Sequence, residues 1–244
     1  MAYHYGFLRF FLIFAAMDMT MYDRIKMLPL WMGINERHFE RLISHVPLEF
    51  SSPEDNREIA VQGCREYKLT FLMGGTYEAE WCSNDRMYRL TETITDMPHV
   101  IEPQNLFGVK RTYERTYRMA GNGSYISISR EDFVKDMMRV EEIRHNYVNM
   151  VCNSLRKSSD SLMMQMGKTS KEQHIVNMIT SRCLTPKGRK DVNITMQTIA
   201  DTTGETLRSV SGILNSWQDM GLVELRRHGF VIHDMKKLTA LLNN

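Results

Sequence analysis

Three polar residues near the C-terminus share one helical face. Arg208, Ser211 and Asn215 follow one another at intervals of three and four, so a helix here aligns a guanidinium, a hydroxyl and a carboxamide. Such groups can donate to and accept from base edges in a major groove. Gly212 leaves the same face open, while Val210, Ile213, Leu214 and Trp217 form the opposite, buried stripe. A basic cluster, Arg226, Arg227 and His228, follows at a His-Gly turn. A second candidate is "NLFGVKRTYERTYR", Asn105–Arg118: a glycine, Gly108, then a basic and aromatic run containing Arg115-Thr116. It has the make-up of a ligand-binding loop with part of its chemistry removed.

Other chemistries find no support. Cys64, Cys82, Cys152 and Cys183 make no Cys-x-x-Cys pair and no disulfide framework, which points to a reducing, cytoplasmic compartment. The eight histidines show no H-x-x-x-H or H-E-x-x-H spacing, and there is neither a Walker loop nor G-x-S-x-G. The chain is therefore expected to be neither an enzyme nor a metal-binding protein. Net charge is only +2, but residues 167–244 hold 11 Lys and Arg against 7 Asp and Glu, and the rest 20 against 22. The basic C-terminal third suits a polyanion.

The elements that must position these residues are legible in the periodicity. Two short helices about Gly204 read as a helix-turn-helix: one over residues 196–202 with Thr195 as cap, the second starting after Thr206. The second would enter the major groove, and "GLVELRRHGFVIHD" reads as a β-hairpin wing. Upstream, Thr169 and Glu172 are spaced as a capping box. From Arg130 about ten turns run without Gly or Pro, with Val140, Ile143, Tyr147 and Met150 as a narrow seam that Ser154 or Leu155 continues. Homodimerisation through this seam is the expected use, and packing on its own strand domain the alternative. Residues 48–129 break into short strands bounded by Gly, Pro, Asn or Asp, which predicts an antiparallel sandwich or roll. Short helices precede it. The apolar stretch Phe7–Met17 is too short to span a bilayer; translation starting at Met17, Met19 or Met21 would explain it, and a packed helix is the alternative.

The stretch Ile194–Val223 resembles, without gaps, the Crp/Fnr family of bacterial transcription regulators, whose pattern runs I-T-x-Q-x-I-A-x-x-x-G-x-x-x-x-x-V-x-x-x-L. "PLWMGINERHFERLI" and "EIAVQG" are also similar. The resemblance implies an α+β chain in four parts: an uncertain extension (1–20), a jelly-roll-like antiparallel β-roll sensor (21–135), a long dimerisation helix (136–166) and a winged helix-turn-helix (167–244). It implies a DNA-binding regulator of transcription acting as a homodimer on a near-palindromic site. Where many members read R-E-T-V-S-R, this chain has Leu207, Arg208, Ser209, Val210, Ser211 and Gly212. Arg208 is then the expected main base reader, with Leu207, Ser211 and Asn215 beside it. Gln197, Thr206, Ser209, Arg226 and Arg227 are expected on phosphates, which position without specifying.

In cyclic-nucleotide-binding relatives a Gly-Glu pair takes the ribose and an Arg-Ser/Thr-Ala run the phosphate. Here Val109 follows Gly108, and Tyr117 follows Arg115-Thr116, so the resemblance does not imply cyclic nucleotide binding. Gly108, Arg115 and Thr116 are left as a candidate pocket for another effector, or for none. No cysteine grouping supports an iron–sulfur cluster, His99 beside Pro98 is a weak haem candidate, and no cofactor is expected. Double-stranded DNA and a second copy of the chain are the expected partners, RNA polymerase follows from the resemblance, and a membrane is not expected. The other reading is a sensing or interaction module whose DNA-binding half is degenerate, which Leu207 and Gly212 favour.

Overall fold

The computed structural model describes residues 20–52, 56–163 and 170–242. The expectations for Phe7–Met17 and Thr169 fall outside them. Two short helices, α1 (Met21–Lys26) and α2 (Glu36–His45), open the described chain. Thr20 and Asp23 form a reciprocal capping box on α1, and the Asn35 side chain caps α2.

Eight strands follow: β1 (Leu48–Ser51), β2 (Glu58–Ala60), β3 (Lys68–Gly74), β4 (Tyr77–Cys82), β5 (Tyr88–Ile94), β6 (His99–Val100), β7 (Thr116–Met119) and β8 (Ser124–Ser129). All their pairings are antiparallel, as the short punctuated runs predict. One sheet has the order β1-β8-β3-β6.

The run from Arg130 is not one helix. It divides into α3 (Arg130–Lys135), a 3-10 turn at Met137–Arg139 and α4 (Glu141–Met163), with Val140 extended between the last two. No Gly or Pro marks the break. Packing imposes it: Phe133 and Met137 are buried in the roll from the short leading segment, and α4 then lies along the same core.

The seam on α4 also needs correction. Val140, Ile143, Tyr147 and Met150 are buried within the single chain, in one core with Phe39, Leu69, Phe71, Ile126, Ile128 and Phe133. They face their own roll, so they cannot be the surface offered to a second helix.

The C-terminal part comprises α5 (Lys171–Thr180), β9 (Lys190–Ile194), α6 (Met196–Thr203), α7 (Leu207–Asp219), β10 (Val223–Arg226), β11 (Gly229–Ile232) and α8 (Met235–Leu242). Ser170 caps α5 by accepting from the Gln173 amide. No local sequence signal marks the pairing of β9 with β5 of the roll as well as with the wing. The second sheet therefore runs β10-β11-β9-β5-β4-β7-β2 across both parts.

Candidate nucleic-acid interface

The helix-turn-helix is built by local chemistry. Thr195 caps α6 by accepting from the Thr198 amide, and Thr206 caps α7 by accepting from Ser209. Gly204 ends α6 at φ +72°, where a residue with a side chain would be strained. Ile199 and Ala200 of α6 and Val210, Ile213, Leu214 and Trp217 of α7 share one core with α5 and the wing. That burial fixes the rotation of α7 and turns its other face outward.

On that face Leu207, Arg208, Gly212 and Asn215 are exposed and Ser211 is half-buried. The Asn215 amide donates weakly to the Ser211 hydroxyl at 3.4 Å, so the two present one polar patch. Arg208 makes no ion pair with a described residue. The structure thus brings together all four residues expected to read bases. The Thr206 hydroxyl and Ser209 lie at the N-terminus of α7, where free amides and the helix dipole favour an anion.

The other expected phosphate contacts are placed differently. Gln197 is exposed on α6 but donates to Asp201 at 2.8 Å. Arg226 is held between two carboxylates, donating to Asp191 at 3.0 Å and Glu224 at 3.3 Å. The Arg227 and His228 side chains are exposed at the wing tip and make no such tie to a described residue. Gly229 is required beside them: a Cβ there would come within 2.0 Å of the Val192 carbonyl oxygen of β9.

The loop of the roll is organised by buried acids that sequence reading missed. Its strand-like stretch is stitched to residues 63–66: the Gly63 amide donates to Tyr113, Tyr113 to Cys64 and Glu66 to Arg111. Glu66 has no solvent exposure, and neither carboxylate oxygen has a hydrogen-bond partner among the described residues. Burial, with the nearby Glu102 charge, pushes its pKa up to about 9. Glu102 is also buried, accepting from the Tyr117 hydroxyl, the Asn105 side chain and the Glu114 amide. Burial raises its pKa despite those bonds.

Of the three candidate effector residues, Arg115 and Thr116 are buried and Gly108 is exposed. Arg115 is largely buried and donates from Nη2 to the Arg182 carbonyl, just beyond α5, at 2.8 Å. The Thr116 hydroxyl accepts from the Gln62 amide at 3.0 Å. Gly108 has φ +98°, and Val109 beside it is fully exposed. Leu106 packs between the roll and α4 with Phe107, Phe133 and Tyr147, and the three rings lie 5.0–6.4 Å apart between centres. The acids were detectable in principle only where they break an alternation. Glu92 takes an inward position in β5, between Leu90 and Ile94, and Lys190 does so in β9 ahead of Val192 and Ile194. Glu66 lies in a loop and has no such signal.

No group of three or more His, Cys, Asp or Glu among the described residues could hold a metal ion, and no helix there is long and apolar enough to cross a membrane.

Residues 173–241 match the family model of the Crp-like helix-turn-helix domain. Among solved structures, the chain is similar to the catabolite activator protein of Thermus thermophilus at 15% identity and TM-score 0.51, covering 88% of this chain and all of that one. It is also similar to a structure described as a Crp/Fnr-family transcriptional regulator from Eubacterium rectale, at 19% identity and TM-score 0.53, covering 89% of this chain and 99% of that one. No curated protein sequence matches the chain.

Proposed function

We propose how this chain, a DNA-binding transcription regulator with a Crp-like helix-turn-helix domain on the fold of Crp/Fnr regulators, reads its target: as a homodimer, with Arg208 as principal base reader and without cyclic nucleotide. The observation that carries this reading is the outward face of α7. Burial of Val210, Ile213, Leu214 and Trp217 leaves Arg208 and Asn215 exposed together. An arginine in that position pairs bidentately with guanine. Two such faces, about one helical turn of DNA apart, would read a near-palindromic site.

Arg208→Ala should flatten base preference at one position of each half-site and cost roughly 1–3 kcal/mol of specific affinity. Selection from random duplexes measures this. A variant that selects the same sequence as the unaltered protein would remove Arg208 from the reading face.

The dimer surface belongs on the outer side of α4. His145, Val148, Cys152 and Leu155 are exposed there at intervals of three, four and three, a heptad seam opposite the one buried in the roll. Exposed apolar side chains at that spacing suit a second, parallel copy of the same helix.

Three features argue against a cyclic nucleotide. Val109 supplies no ribose acceptor. Arg115 is engaged by the Arg182 carbonyl, and the buried Glu102 carboxyl already takes the Tyr117 hydroxyl, the Asn105 side chain and the Glu114 amide of the same region. A ligand that binds the native state raises the unfolding midpoint by mass action. Cyclic AMP and cyclic GMP should leave that midpoint unchanged at millimolar concentration. A shift that disappears in Arg115→Ala would overturn this part of the reading.

A further inference from the structure

We propose that Glu92 and Lys190 are positioning residues for DNA recognition: by clamping the DNA-binding domain to the roll, they set the half-site spacing that the dimer accepts. The inference rests on the dimeric DNA-reading function proposed above.

Three structural layers join the two parts. The first is main-chain pairing: β5 and β9 align over five residues, from Tyr88 opposite Ile194 to Glu92 opposite Lys190. The second is a shared core, in which Tyr88 and Leu90 of the roll pack with Ile175, Val192, Ile194 and Phe230. The third is ionic. Lys190 Nζ lies 2.6 Å from Glu92 Oε1, with the side chains 1% and 2% exposed. Lys190 also donates to the Thr185 hydroxyl at 3.1 Å and to the Lys187 carbonyl at 2.8 Å, which uses its three protons. Glu92 in turn accepts from the amides of Leu184 and Thr185. Arg115 adds a bond to the Arg182 carbonyl, and the Arg182 guanidinium lies 5.0 Å from the centre of the Trp81 ring.

A buried ion pair contributes little net stability, since desolvation offsets attraction. What it supplies is directional: its energy is recovered only when both charges and all their partners are in register. A slip of β9 along β5 would leave Lys190 and Glu92 buried and unpaired. The domain therefore has one orientation on the roll. In a dimer joined through α4, that orientation fixes the distance between the two α7 helices. The second reading head then binds at an effective concentration set by this geometry. None of these contacts covers the exposed α7 residues, so the clamp leaves the reading face open.

Lys190→Met and Glu92→Gln, in the full-length chain, test the role. The substitution at Glu92 lies on the roll and changes no residue of the DNA-binding domain. Binding is measured to duplexes with one half-site and to a series with two half-sites at varied spacing. Both variants should hold the single half-site as the unaltered protein does. They should lose about tenfold at its preferred spacing and discriminate less among spacings. Hydrogen exchange should show faster amides in residues 88–92 and 190–194, with α7 protection unchanged. A variant that loses α7 protection is judged misfolded, and the other then decides. Unchanged spacing preference in a folded variant overturns the positioning role alone. An unaltered protein that selects no duplex overturns the proposed function and this role with it.

Discussion

Leu155→Glu should leave the chain folded but monomeric, and reduce affinity for a two-half-site duplex by about a hundredfold while a single half-site binds as before. The side chain is 54% exposed in the single chain, and Val148, two turns earlier on the same stripe, is 52% exposed. Neither contributes to the core of the protomer, so a charge at Leu155 costs the monomer little. In the proposed dimer it would meet its own copy across the two-fold axis, and two like charges would be brought together in an apolar seam. Cys152 offers an internal probe, since it is exposed on the same stripe. Mild oxidation should link two copies through Cys152, and Cys152→Ser should abolish the link. Sedimentation and non-reducing electrophoresis measure both. A Leu155→Glu protein that still sediments as a dimer would remove this face of α4 as the interface.

The opposite face of the same helix should respond in the other way. Ile143 has no exposure and packs in the roll's core. Ile143→Ala should lower unfolding stability by about 2–5 kcal/mol through lost burial and a residual cavity. If the outer stripe joins two copies as proposed, the two seams of one helix separate stability from assembly.

That pair of seams shows where sequence patterning suffices and where it fails. The period of Val140, Ile143, Tyr147 and Met150 establishes that the residues are buried; it does not say against what. Only the folded roll supplies the partner. The helix-turn-helix was more legible because its signals are local: Thr195, Gly204 and Thr206 fix both helix boundaries through bonds to residues within four positions. The break at Asp136–Val140 has no local signal, and tertiary packing decides it. The clamp is intermediate. Glu92 and Lys190 each violate an inward-facing alternation, which marks them as unusual, yet their pairing joins residues 98 positions apart and no local pattern predicts it. In the roll, the valine after Gly108 is visible in the sequence, whereas the commitment of Arg115 to the Arg182 carbonyl is not.

Glu66 should make the protein less stable as pH rises through the neutral range. Its carboxyl is buried among Glu102, Tyr113 and Tyr147, with no hydrogen-bond partner on either oxygen among the described residues. Its folded pKa of about 9 lies above the ordinary 4.5, so the native state holds a proton that the unfolded chain releases. Between these values the unfolded state binds fewer protons, and stability falls as pH increases, by up to about 1.4 kcal/mol per unit. From pH 4.5 to 7 the cumulative cost is about 3 kcal/mol. Glu102, raised in the same direction, adds to the slope. Glu66→Gln keeps the shape of the side chain and removes the titration. Its stability should therefore exceed that of the unaltered protein by a margin that widens from pH 6 to pH 8.5. Denaturant midpoints across that range measure the difference, and parallel curves for the two proteins would exclude a proton on Glu66. The position of this acid makes the effect relevant to the roll's interior as a binding site. The Glu66 amide donates to the Arg111 carbonyl, so this acid sits against the stretch that holds Arg115.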